Sequence, residues 1–428
     1  MKHSVSELKL KNGAKGLLIH VPDASVMTFE LNFRAGDYLA DPEKWEVPHI
    51  MEHLLLGANK QIPKARTFQA EFEKNGAYSN ASTGAYDIIY EAECADFEWD
   101  RILNLLTVAI SEPLFLEEEF EAEFGNVREE LTGRANNHFR HLSLALRESY
   151  GFAALTDQNR LARMKNVTLK DIKDHYKKTH TTSNFRFVIA GNIDAERRKT
   201  IKKALETIKL PEGEGRLELP EEHPQVLAEP LVIANKTVDN LYFYMDTFLL
   251  RRLRDPELDA LSLINTMLTE TLYSRILGKA REKGLVYHVS SGISQTSSAA
   301  NWWFGAQVMP SNAPALFDII VSEIEAVFKG KLNEKDIQAA KQYSIGRYQR
   351  GGQTVGGTMA GYSYRYFFDE VIDDYYKVPA RIKAITRDRI LDVTQSMFAD
   401  KVWGIGFLGD TKAPLIAELN AKLAKLWK

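Results

Sequence analysis

Between Val26 and Phe33 the side chains of Met27, Phe29, Leu31 and Phe33 alternate with those of Val26, Thr28, Glu30 and Asn32. That is the period of a strand with one apolar and one mixed face. Just upstream, Lys9–Val21 reads as a hairpin turning at Asn12-Gly13, a dipeptide that accepts positive φ at both turn positions. Further on the period lengthens. In the segment EEEFEAEFGNVREE, Glu117 to Glu130, the residues Phe120, Phe124, Val127 and then Leu131 fall on one helical stripe. Glu123 and Glu130 are seven residues apart and lie nearly eclipsed beside it. Hairpin-joined strands interleaved with long helices predict an α+β fold, each domain a mostly antiparallel sheet with helices packed on one face, rather than a doubly wound parallel sheet.

The pattern also repeats. Val167-Thr168 followed by Ile172 recurs as Ile385-Thr386 followed by Ile390, and Ala190-Gly191-Asn192 recurs as Leu408-Gly409-Asp410, each pair 218 positions apart. A helix, an apolar strand (Phe185–Ala190, Trp403–Leu408), a Gly turn and another helix therefore close both halves. Asp41-Pro42-Glu43 and Asp255-Pro256-Glu257 add a pair 214 apart. Between the halves, residues 209–226 crowd Pro, Gly and Glu together without periodicity. The expected organisation is a first domain over 1–208, a linker over 209–226 and a repeat domain over 227–428. At 428 residues the chain exceeds the size at which a single core stops growing, about 250 to 300 residues.

Composition narrows the class. Lys and Arg number 55 against 58 Asp and Glu, for a net charge of −3, so the broad basic footprint that nucleic acid or anionic lipid requires is missing. Cys94 is the only cysteine, which excludes an intrachain disulfide and fits a reducing compartment. Met1–Leu10 lacks the apolar core of an export signal, and no apolar run approaches the ~20 residues that span a bilayer. The expectation is a cytoplasmic protein with no membrane or nucleic-acid partner.

The chemistry concentrates in His49-Ile50-Met51-Glu52-His53. On a helix, histidines four apart project from one face about a turn apart, close enough to share an ion. Glu52 then hangs beside the ion without having to bind it, as a base acting on metal-activated water requires. Pro48 suits the first turn of such a helix and Gly57 offers a stop. Zinc that activates water ordinarily has three protein ligands and one open position, and the Glu117–Glu130 segment supplies candidates for the third.

At this point the chain resembles the pitrilysin-like zinc metallopeptidases, the inverzincins, whose motif is HxxEH. It looks like their short, two-domain members, related to the mitochondrial processing peptidases. The resemblance implies that His49, His53 and Glu130 bind one Zn2+ per chain, with Glu129 the competitor for the third place. It implies Glu52 as the base and Glu123 as a support behind a ligand. Asn80-Ala81-Ser82-Thr83, after Gly76, is similar to the strand that receives peptide substrate by edge pairing. Ser274-Arg275 and Arg281-Glu282-Lys283-Gly284-Leu285-Val286-Tyr287 resemble the C-terminal signature, with Arg281 and Tyr287 contacting substrate. The second half has no metal site of its own, since the 214 offset carries His49, Glu52 and His53 onto Leu263, Thr266 and Met267. By resemblance, two such chains close into a clamshell, which implies a homodimer or a pairing with a zinc-less relative. The expected function is a zinc endopeptidase acting on peptides or unfolded segments in an enclosed chamber. The alternative is a catalytically silent structural or peptide-binding subunit of the same fold.

Overall fold

The alternating stretch forms the strand it predicts. β3 (Val26–Phe33) buries Met27, Phe29, Leu31 and Phe33 completely. The computed structural model describes residues 1–428. β3 runs through a six-stranded sheet with β1 (Ser4–Lys9), β2 (Lys15–His20), β4 (Tyr78–Thr83), β5 (Ile88–Ala95) and β6 (Phe185–Gly191), in the order β1-β2-β6-β3-β5-β4. Only the β2–β6 pairing is parallel. The hairpin between β1 and β2 turns through Gly13 at φ +88°.

On one face of this sheet lies a core built with the helices Val47–Leu55, Trp99–Ser111, Glu117–Arg134 and Leu169–Thr179. The last of these starts at a capping box, in which Thr168 and Asp171 satisfy each other's backbone N–H groups. The opposite face is covered by the helix Val355–Asp369, whose Val355, Met359 and Tyr362 pack on Leu17, Ile19, Val188 and Ala190. β6 is buried along its whole length, and strands buried on both faces need cover on both. Helices of the first half thus occupy one face, as expected, and the second face is closed by a helix from far down the chain.

The other sheet has five strands, β7 (Leu231–Ala234), β8 (Leu241–Leu249), β9 (Ser290–Gln295), β10 (Ala300–Val308) and β11 (Val402–Gly409). Their order, β7-β11-β8-β10-β9, repeats that of β2, β6, β3, β5 and β4. Again the first of these pairings alone is parallel. Its core helices include Asp255–Asn265, Ala313–Phe328 and Arg387–Ala399, and Leu142 and Leu146 of the helix His138–Ser149 are fully buried. The duplicated Gly191 and Gly409 end β6 and β11 at φ +151° and +116°. A Cβ at Gly409 would meet the Asn240 carbonyl oxygen at 2.1 Å, so a side chain is excluded at this turn.

Two compact units result. The first comprises Met1–Thr132, Asn159–Pro220 and Gln349–Tyr375, and the second Gly133–Gln158, Glu221–Tyr348 and Tyr376–Lys428. The segment read as a linker is divided between them, 209–220 tied down in the first unit and 221–226 in the second, where Glu222 N–H donates to Ser298. Pro211 and Glu212 accept from the Thr182 and Ser183 N–H groups, and Leu217 N–H donates to Asn184. No helix is long and apolar enough to cross a membrane. Cys94 is buried at 3% exposure, and burial pushes its thiol up to about 12.

Candidate metal centre

The HIMEH segment lies in the helix Val47–Leu55, with Pro48 in its first turn. The helix ends where Leu56 and Gly57 N–H donate to the His53 and Leu54 carbonyls. Ile50, Met51 and Leu54 enter the core, which anchors the side carrying the histidines. The acidic helix Glu117–Arg134 is pinned against this end, because Glu119 accepts from Ala58 N–H at 3.1 Å. Its Val127 and Leu131 are fully buried, so the apolar stripe sets the rotation at which Glu123 and Glu130 are presented.

The two imidazoles stand 5.1 Å apart between centroids and nearly perpendicular, at 84°. Their Nδ1 atoms point away from each other, each to its own carboxylate: His49 to Glu46 at 3.0 Å and His53 to Glu123 at 2.8 Å. Their Nε2 atoms face one oxygen, Glu130 Oε2, at 3.3 Å for His49 and 3.8 Å for His53. Zinc–nitrogen bonds of 2.0–2.1 Å in tetrahedral geometry place ligand atoms about 3.4 Å apart. The donor set and its spacing therefore fit a zinc ion held by His49, His53 and Glu130. Glu129, on the same helix, is exposed and Glu130 is not.

Glu52 is 7% exposed, and its carboxylate lies within 4.8 Å of the histidine nitrogens. Thr83 Oγ1 donates to its Oε2 at 3.1 Å. Burial raises the Glu52 carboxyl above its ordinary value, against the opposing pull of His53 and His49. Thr83 ends β4, the last strand in the order and so a sheet edge. Of the four residues read as the substrate strand, Ala81 and Thr83 turn toward the covered face, whereas Asn80 and Ser82 are exposed and Asn80 donates to Glu91 at 3.3 Å. Arg281 and Tyr287 meet each other in the second unit: the guanidinium lies 4.7 Å from the Tyr287 ring centroid and donates to its carbonyl at 2.8 Å. Tyr287 is 83% exposed.

Sequence reasoning missed three residues. Glu46, one turn before His49, and Arg160, which binds it bidentately at 2.5 and 2.9 Å, form a buried pair behind the first histidine. The i, i+3 spacing of Glu46 and His49 was the available signal. The third is in the repeat. The helix Glu334–Gly351 has the same length, 18 residues, as Glu117–Arg134, so Glu130 corresponds to Arg347, which is ion-paired to Glu270. With Leu263 and Met267 buried and apolar, the second unit carries a cation where the first presents the Glu130 carboxylate.

The first site attracts positive charge. Burial alone would pull the His49 imidazolium down, yet its hydrogen bonds to Glu130 and Glu46 prevail and push it up to about 9. A bound cation must displace that proton, so zinc affinity is expected to climb about tenfold per pH unit toward pH 9, as a chelator-competition titration at several pH values would measure. The stability of the metal-free chain should run the other way. A value raised above the unfolded ~6.5 gives stabilisation that is full below pH ~6.5 and is lost as pH rises through about 9.

The chain is similar to known proteins along most of its length. Residues 16–163 match the family described as Insulinase (Peptidase family M16), and residues 166–343 match the Peptidase M16 inactive domain. An uncharacterized zinc protease of Rickettsia felis is 25% identical over 354 residues, covering 80% of this chain and 82% of its own. Protease 3 of Escherichia coli K12 is 31% identical over 126 residues, which is 29% of this chain and 13% of that protein. A crystal structure of a protease from Helicobacter pylori shares the fold, with a TM-score of 0.83 at 19% identity over 95% of this chain and 100% of that one. Taken together, the HxxEH helix, the duplicated sheet order and two consecutive family matches lead to one assignment: the chain belongs to the M16 family of peptidases.

Proposed function

We propose that this chain is a zinc-dependent endopeptidase whose catalytic machinery lies in the first unit, within the domain read as 1–208, while the repeat over 227–428 contributes Arg281 and Tyr287 to substrate contact. The observation that carries the reading is the convergence of His49 Nε2 and His53 Nε2 on Glu130 Oε2, with the Glu52 carboxylate alongside. Bound there, zinc supplies Lewis acidity toward a peptide carbonyl and a water molecule.

The chain's own residues do the rest. Glu46 and Glu123 hold the two rings by their Nδ1 atoms, which fixes the tautomer that leaves Nε2 for the ion. Thr83 donates to Oε2 of Glu52 and so orients the carboxylate that takes the proton of the attacking water and later hands it to the leaving amine. An extended peptide adds to the free edge at Asn80–Thr83, main chain against main chain, in line with the base at the end of that strand. Such pairing requires an extended, locally unfolded substrate, which is the reason to place peptides and unfolded segments in the substrate class. A second copy of the chain, or a zinc-less relative, would complete the enclosure.

The test is a purified full chain assayed for zinc content, cleavage of a mixed peptide library, and mass in solution. The expected result is one zinc per chain, cleavage abolished by a chelator and restored by Zn2+, and sedimentation near twice 48.6 kDa. A chain that purifies without zinc and leaves the library intact would instead be a silent subunit. A monomer that cleaves would remove the shared enclosure.

A further inference from the structure

We infer that Glu46, clamped by Arg160, is the positioning residue that aims His49 and sets the affinity of the centre for its metal. This rests on the zinc-site reading above.

Glu46 stands at the N-cap of the motif helix but makes no side-chain cap. Its carboxylate, fully buried, turns instead to His49 Nδ1 at 3.0 Å and to Arg160, whose Nε and Nη2 reach its two oxygens at 2.5 and 2.9 Å. A carboxylate held by a buried, planar guanidinium has its orientation fixed. The ring it accepts from is fixed in turn, so His49 can offer only Nε2, which faces Glu130.

The partner of His53 is looser. The Glu123 side chain is 29% exposed and shares its oxygen with Asn126 at 3.1 Å, with no guanidinium behind it. One imidazole is therefore locked and the other adaptable.

The repeat gives an independent indication that these carboxylates serve the histidines rather than the fold. By the 214 offset Glu46 corresponds to Ala260, and by the shared helix length Glu123 corresponds to Ala340. Both alanines are buried in a unit of the same strand order. The copy that lacks the two motif histidines builds its core without either carboxylate.

Removing Glu46 alone would take from the buried Arg160 its bidentate partner and leave it the neighbouring Asp37, so the decisive variant is Glu46→Leu/Arg160→Met, which replaces the pair by apolar groups of similar size. Zinc itself is the probe, titrated into metal-free full-length protein against a chromogenic chelator, with the thermal midpoint of the metal-free form read in parallel. The expected result is a zinc Kd weakened about 10–100-fold with the fold retained, and a smaller loss for Glu123→Gln. An unchanged Kd in the folded double variant would overturn the inference, and so would a larger loss for Glu123→Gln. Should the double variant not fold, Glu46→Gln decides by the same titration. A wild-type chain that binds no zinc would remove the site reading and this inference with it, whereas a zinc-binding chain that cleaves no peptide would remove only the catalytic reading.

Discussion

Glu52→Gln is expected to keep one zinc per chain and to lose peptide cleavage by about 10²–10⁴-fold in kcat. The substitution preserves volume at a site that is 7% exposed, and the amide oxygen can still accept from Thr83. What disappears is the carboxylate oxygen able to take a proton. Since the nitrogens of His49 and His53 are untouched, metal content separates loss of the base from loss of the site. Cleavage at the wild-type rate with zinc retained would show that another group moves the proton.

The second large effect is a contrast between neighbours. Glu130→Ala removes the oxygen that both Nε2 atoms face, and is expected to weaken zinc by more than the ~10–100-fold that loss of an orienting carboxylate costs. Glu129→Ala should leave zinc content and cleavage as they are, because that side chain points to solvent. Metal analysis after dialysis distinguishes the two, and equal losses from both variants would refute the assignment of the third ligand to Glu130.

Much of this was readable in the chain. The alternation of Val26–Phe33 set β3 to the residue, and Pro48 and Gly57 bracketed the HIMEH helix, because strand period and helix punctuation are local properties. The repeat of 218 positions foretold two sheets with the same strand order, and Gly191 and Gly409 recur because each ends its strand at a positive φ. Less local features stayed hidden. Nothing in the apolar stripe of Val355–Asp369 says which sheet it will cover, so its packing on Leu17 and Val188 could not be read from spacing. Glu119 stands in the acidic first turn of its helix, where a solvated acid is the ordinary expectation, and only the fold brings the Ala58 N–H to it. Arg160 lies 114 residues from Glu46, a separation across which no periodicity carries information.

The bond from Thr83 to Glu52 also bears on how a bound chain would be read. It ties the Glu52 carboxylate to a fixed rung of the edge strand, and β-ladders repeat every two residues. A polypeptide extending the sheet there can slide only in whole rungs, and a slip of one residue turns every side chain to the opposite face. Scission points along a long substrate should then fall preferentially on residues of one parity, so that the fragments carry the spacing of the sheet that measured them.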